Sequence, residues 1–173
     1  MRTDMHVRQG RREPGPEIWL RGPVALPEEP APSRTAGAPR RFSWVGTHGG
    51  AGVSTLAAFY GGQDCGRDWP TPADPPSVLL VARTHATGLA AALGALDVFR
   101  RGEAPHGLDL DAVVLVADAP GRLPRPLAER VKVIESVIDV YRVPWVSAWR
   151  LGDLSGRPPR EAEALARLTG RSR

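Results

Sequence analysis

Short apolar runs alternate along the chain with segments whose apolar residues recur at helical spacing. "RFSWVG" predicts a first strand that ends near Gly46, and "SVLLVART" predicts a second. A third strand is predicted from Ala112 to Ala117, and "VYRVPWVSAWR" supplies a fourth, which Pro144 places at or near a sheet edge. The second and third runs do not alternate with polar residues, which indicates strands buried on both faces.

Helices are predicted between and after these strands. The first covers about residues 52–60 and the second about residues 87–101. Pro124 and Pro126 open the third, since proline is tolerated in a first helical turn, and "PPREAEALARLTG" contains the last. The apolar faces of the first three helices are Val53, Leu56, Ala57 and Tyr60; Leu89, Leu93 and Leu96; and Leu127, Val131, Ile134 and Ile138.

The resulting β-α-β-α-β-α-β-α order predicts an α/β fold over residues 41–173, with a parallel sheet of about four strands and helices on both faces. The segment 61–76 is dense in Gly, Pro and Asp and is predicted as a loop. Trp145 and Trp149 are four residues apart and would share one face of an extended fourth strand. They are interpreted either as core residues or as a partner surface.

Residues 1–40 contain seven prolines, few apolar residues and charges of both signs, which predicts a disordered tail. Within it, "EIWLRGPVALP" carries Trp19 and Leu20, large apolar side chains in a polar setting. Two interpretations stay open for this segment. It packs on its own domain, or it is a short docking motif for a protein partner.

Composition narrows the function classes. The net charge of +4 is a modest basic bias and does not indicate specific nucleic-acid binding. The single cysteine, Cys65, excludes an intramolecular disulfide. The chain has neither the run of roughly 18 apolar residues that a membrane span needs nor a secretory signal at its start. A cytoplasmic protein without membrane insertion is expected.

A glycine-rich turn, "GTHGGAGVST", follows the first strand and leads into the first helix. In a parallel α/β fold, ligands bind at the carboxyl ends of strands, where backbone N–H groups and the helix N-terminus attract anions. Gly49, Gly50 and Gly52 would allow the chain to wrap closely around a phosphate. Ser54 is placed to contact a magnesium ion, and Thr55 is predicted to cap the first turn.

This turn resembles the deviant Walker A loop of the MinD/ParA ATPases, K-G-G-x-G-K-[ST]. The glycines and the serine are kept, but no lysine is present, because the only one in the chain, Lys132, lies in the third helix. The resemblance covers about residues 41–150 and implies ATP with Mg²⁺ as the ligand. The aligned residues are His48, Gly49, Gly50, Ala51, Gly52, Val53 and Ser54.

The whole chain also resembles a small uncharacterised family from high-GC bacteria, in its W-L-R-G-P, H-G-G-A-G-x-S-T, A-D-A-P-G-R-L-P and P-W-x-x-x-W-R segments. That resemblance implies no settled activity. It associates the chain with conjugation or secretion systems.

Three residues could compensate for the missing lysines or contact a base. Arg83 ends the second strand, which should lie beside the first, so its side chain either reaches the glycine loop or is solvated at the end of the strand. His48 could supply charge if protonated, or could hydrogen-bond to backbone. Asp118 ends the third strand, where it could face a base or stabilise the turn "DAPG". Asp64 and Asp68 are conceivable metal ligands, although a polar turn is favoured there.

Two functions are therefore weighed. In the first, the chain is a pseudo-ATPase that binds nucleotide weakly or not at all, has no catalytic residues, and acts as an adaptor for a protein partner, with a homodimer possible. In the second, it is an ATP-binding protein or ATPase in which Arg83 and His48 replace the lysines, because phosphoryl transfer depends on positioned positive charge.

Overall fold

The structure is a computed structural model that describes residues 41–171. The predicted tail over residues 1–40, with the docking motif at Trp19 and Leu20, lies outside the described residues. The predicted α/β fold is confirmed. The strands are Ser43–Gly46 (β1), Gln63–Asp64 (β2), Ser77–Arg83 (β3), Asp109–Val116 (β4) and Val140–Val143 (β5); the helices are Val53–Tyr60 (α1), Ala86–Arg100 (α2), Arg125–Glu135 (α3), Ser147–Arg150 (α4) and Glu163–Leu168 (α5), the last preceded by a 3₁₀ turn at Arg160–Ala162.

All five strands are parallel, in the order β2-β1-β3-β4-β5. Strand β3 pairs with β1 on one side and with β4 on the other. Its five central residues, Val78 to Ala82, are at most 1% exposed. This burial on both faces explains why the run "SVLLVA" contains no alternating polar residue.

Successive residues of β3 point into two different cores, because side chains alternate across a strand. Leu79 and Val81 pack on the face that is covered by α1 and α5. Val78 and Leu80 pack on the opposite face, which is covered by α2 and α3. The domain thus has three layers, with the sheet between two pairs of helices.

The sheet has one strand more than predicted. Strand β2 lies within the segment 61–76, which the sequence assigns to a loop, and both of its residues are exposed. Backbone hydrogen bonds hold it against β1, from Gln63 N–H to the Phe42 carbonyl (2.9 Å) and from Cys65 N–H to the Trp44 carbonyl (3.1 Å). An exposed strand of two residues leaves no apolar pattern in the sequence, so periodicity cannot reveal it.

The prediction that Trp145 and Trp149 share a strand face is wrong. Strand β5 ends at Val143, Pro144 follows, and Trp149 lies in the short helix α4. The Trp149 ring packs on Phe59 of α1, with 4.6 Å between ring centroids. Trp149 therefore contributes to the core from a helix, and Trp145 lies in the connection between β5 and α4.

The sequence predicts no membrane insertion. In the part of the chain that the structure describes, no helix combines the length and the apolar character needed to cross a membrane.

Tyr60, the last residue of α1, places a hydroxyl in the core without a hydrogen-bond partner among residues 41–171. Burial raises the pKa of Tyr60 to about 12, and the nearby Arg171 charge opposes this only in part. The folded state thus favours the neutral phenol. The stabilisation that comes from keeping Tyr60 neutral should be complete below about pH 10 and should be lost as the pH rises towards 12.

We predict that Tyr60→Phe keeps or raises the free energy of unfolding, by up to about 1–3 kcal/mol, because it removes an unsatisfied buried polar group. It should also flatten the decline in stability between pH 10 and 12. Urea unfolding at several pH values measures both effects. Tyr141→Phe serves as the control, since Tyr141 is the only other tyrosine. A loss of about 1 kcal/mol in Tyr60→Phe would show that the hydroxyl is hydrogen-bonded.

Candidate functional site

The glycine loop lies at the carboxyl edge of the parallel sheet, directly after β1. Its start is fixed by backbone contacts, because Gly46 N–H donates to the Gly66 carbonyl (2.7 Å) and Thr47 N–H donates to the Val81 carbonyl (2.9 Å). A Cβ at residue 46 would lie only 3.0 Å from both the Gly66 oxygen and a Val53 methyl group. Glycine at this position therefore allows the loop, the segment after β2 and α1 to meet.

Two glycines shape the turn itself. Gly50 has φ of 74° and Gly52 has φ of 107°, both in the left-handed region that other residues avoid. Gly52 is the N-cap of α1, and its carbonyl accepts the Leu56 N–H at 3.0 Å. No side chain among the described residues caps the helix, so the prediction that Thr55 caps its first turn is wrong. The first turn of α1 lines the loop cavity, and the first N–H groups of a helix are available to an anion where no side chain caps them.

Val53, at the position of the lysine in the resembling loops, is a core residue. It is 7% exposed and packs in the cluster that contains Leu56, Phe59 and Val81. Ser54, in contrast, is exposed at the loop. Val53 therefore contributes apolar packing to the start of α1 and no charge to a ligand.

Arg83 ends the second predicted strand, which suggested that its side chain could reach the glycine loop. The structure places it there. Its Nε donates to the Gly50 carbonyl (3.2 Å), and its Nη1 donates to the Ala117 carbonyl (3.1 Å). One guanidinium thus joins the loop after β1 to the end of β4. Its Nη2 lies 3.7 Å from the position that a Cβ of Gly52 would take. The side chain remains partly exposed and lines the opening above the loop.

Two further arginines lie at this opening, and sequence reasoning missed both. A cavity of about 480 Å³ over the loop is lined by the glycines, Ser54 and Thr55 together with Arg67, Arg83 and Arg150. Arg67 comes from the segment after β2 and Arg150 from α4, elements that the sequence pattern does not reveal. No carboxylate is among the described residues that line this cavity.

The three arginines form a positive cluster. Among residues 41–171, none of them makes an ion pair. Burial and then repulsion from Arg150 lower the pKa of Arg83 from its usual value, and the Asp118 carboxylate opposes this. The side chain stays charged at neutral pH, because the pKa of arginine starts above 12. The cluster therefore favours an anion at the loop.

His48 uses both ring nitrogens within the protein. Its Nε2 accepts the backbone N–H of Arg83 (3.0 Å), and its Nδ1 lies 2.9 Å from the Gly49 carbonyl. Gly88 permits this arrangement, because a Cβ there would lie 2.9 Å from Nε2 and 2.4 Å from the Arg83 carbonyl oxygen. Of the two interpretations left open by the sequence, the geometry favours the backbone contact, with His48 as a link between the loop and β3.

The carboxylates proposed from the sequence do not meet at the loop. Asp64 Oδ1 accepts the Gly66 N–H at 2.8 Å and so shapes the segment that carries Arg67. The backbone N–H of Asp118 donates to Thr84 Oγ1 at 3.1 Å, and its side chain lines a separate cavity of about 420 Å³ beside α3. Within the described range, no group of three or more histidine, cysteine or acidic side chains could hold a metal ion. The described side chains of the loop cavity that carry an oxygen are Ser54 and Thr55, and a magnesium contact at Ser54 stays a prediction.

Comparison with known proteins identifies a family but not an activity. Residues 42–166 match a family of unknown function, DUF6668. The chain belongs to DUF6668. No curated protein and no solved structure matches it significantly. The match extends from the residue before β1 to α5, so it includes the glycine loop and all three arginines of this DUF6668 domain. The resemblance to MinD/ParA ATPases stays a prediction.

Gly52 and Gly49 provide a matched pair for testing the loop of the DUF6668 domain. We predict that Gly52→Ala destabilises the fold by about 1–2 kcal/mol, because a Cβ is strained in the left-handed region. Gly49 has no positive φ, and a Cβ added there would meet no atom within 4 Å, so Gly49→Ala should stay within about 0.5 kcal/mol of the wild type. Urea unfolding gives both values. Equal losses in the two variants would contradict this account of the turn.

The two neighbouring histidines should carry their protons on different nitrogens when neutral. His48 accepts at Nε2, which places its proton on Nδ1, whereas His85 accepts the Gly88 N–H at Nδ1 (2.9 Å), which places its proton on Nε2. Nitrogen NMR of the imidazoles at alkaline pH distinguishes these tautomers. An Nε2–H tautomer at His48 would show that its contact with the Arg83 backbone is not formed.

Proposed function

We propose that this DUF6668 domain binds the phosphate chain of a nucleotide and does not hydrolyse it, so that it acts as a nucleotide-dependent adaptor or regulatory protein. One observation carries the proposal. Arg67, Arg83 and Arg150 line a cavity over the glycine loop and the start of α1, where no described side chain caps the helix and no described carboxylate lines the cavity.

Arginine suits this role, because its planar guanidinium donates two parallel hydrogen bonds to phosphate oxygens. In the ATPases whose loop this one resembles, a lysine of the loop faces the β- and γ-phosphates. Here Val53 is buried at that position, and the positive charge comes from the end of β3, from α4 and from the segment after β2. The charge is thus supplied from around the loop rather than from within it.

The absence of hydrolysis follows from the same lining. Phosphoryl transfer in nucleotide hydrolases uses a metal held partly by a carboxylate and a group that orients water. The described lining offers Ser54 and Thr55 hydroxyls but no carboxylate. The alternative, an ATPase that uses Arg83 and His48 as lysine substitutes, is less well supported, since both nitrogens of His48 contact backbone groups. Binding should therefore need no Mg²⁺.

The test measures binding of a fluorescent ATP analogue in EDTA and in Mg²⁺, together with phosphate release. We expect binding in EDTA, weakening as salt screens the arginines, and phosphate release at the rate of buffer alone. Arg67→Ala and Arg150→Ala change exposed side chains, and each should weaken binding roughly tenfold or more.

Arg100→Ala is the matched control, because Arg100 is an exposed arginine at the end of α2 that pairs with Asp97 and does not line the loop cavity. It should bind like the wild type. The proposal would be overturned if the wild type did not bind at millimolar nucleotide. It would also be overturned if Arg67→Ala, Arg150→Ala and Arg100→Ala all weakened nucleotide binding equally. Phosphate release that depends on Ser54 would favour the ATPase alternative.

A further inference from the structure

A second, smaller cavity adjoins the cavity over the glycine loop. Its volume is about 260 Å³, and it shares Gly52, Thr55, Arg83 and Arg150 with the loop cavity. The rest of its wall is apolar and aromatic, with Val116, Pro144, Trp145 and Trp149 among the contributors. A ligand whose phosphates lie at the loop would therefore have an aromatic compartment directly beside them.

The chain after β5 builds this compartment. Pro144 follows the last residue of β5, and α4 begins three residues later at Ser147. Trp149 is fixed by the core, since its ring lies 4.6 Å from the Phe59 ring and 6.3 Å from the Tyr60 ring between centroids. The back of the compartment is thus continuous with the buried face of α1.

Trp145 differs from Trp149 in its contacts. It is only partly buried, and the Arg150 guanidinium lies 4.2 Å from the centroid of its ring. Arg150 also lines the loop cavity. One arginine therefore contacts the indole through a cation–π interaction and faces the site proposed for phosphate. A half-exposed tryptophan beside this cation is well placed to contact a ligand that carries both a flat ring and negative charge.

We propose that this compartment binds the base of a nucleoside polyphosphate by stacking on Trp145, while Arg150 contacts both the indole and the phosphates. The inference rests on the proposed function and specifies its ligand class. No carboxylate or amide side chain is among the described residues that line the compartment, so few groups can read the edge of a base. Stacking tolerates any base, because each has a π-face. ATP and GTP should bind alike.

The experiment compares ATP, GTP and inorganic tripolyphosphate by isothermal titration calorimetry in EDTA. Tripolyphosphate carries at least as much negative charge as ATP, so any preference for ATP must come from the nucleoside. We expect ATP and GTP to bind about tenfold more tightly than tripolyphosphate. Trp145→Leu should abolish the preference for ATP and GTP and leave the affinity for tripolyphosphate within about twofold of the wild type. Trp145→Phe keeps an aromatic ring and should retain most of that preference.

Each other outcome is decisive. Equal affinity of the wild type for ATP and tripolyphosphate would overturn the stacking inference and leave phosphate binding intact. If Trp145→Leu lowered the affinity for ATP and for tripolyphosphate equally, the stacking inference would also be overturned, because Trp145 would then act only by positioning Arg150. Binding of no ligand by a wild type that unfolds cooperatively would overturn the proposed function and this inference with it. Thermal unfolding of each variant identifies any that fail to fold.

Discussion

The enclosure of β3 on both faces determines where everything else in this domain lies. Val78 to Ala82 are covered by α1 and α5 on one side and by α2 and α3 on the other. Because β1 and β4 both pair with this strand in parallel, their carboxyl ends lie at the same edge of the sheet. Arg83 is the first residue of β3 to leave the core at that edge, so its position at the glycine loop follows from the packing of the sheet.

The cluster of three arginines lowers the stability of the folded state. Like charges at one cavity repel one another, and the lowered pKa of Arg83 reflects its burial and then its repulsion from Arg150. Hydrogen bonds to the Gly50 and Ala117 carbonyls offset part of the cost for Arg83. An anion would relieve the remainder, and its affinity would then add to the stability of the folded state. The same contacts that order the loop would thus link the binding of an anion to folding.

Most of the fold could be predicted, because β3, β4 and the first three helices are long enough to show their periodicity. The position of Arg83 could be predicted as well, since it ends an evident buried strand. Strand β2 could not be predicted, because it has only two residues and both are exposed. Helix α4 could not be predicted either, because it is a single turn that follows a proline. Arg67 and Arg150 belong to those two parts of the chain. Their convergence depends on tertiary structure, which leaves no local signal in the sequence.

Val53 has a consequence for how this loop could change by mutation. A lysine at this position would have to withdraw its stem from the cluster around Phe59, which would lose apolar burial. It would also add a fourth cation beside Arg67, Arg83 and Arg150. Loss of an arginine would remove the second effect but not the first. Moving positive charge from the surrounding arginines to residue 53 therefore costs apolar burial, in whichever order the substitutions occur.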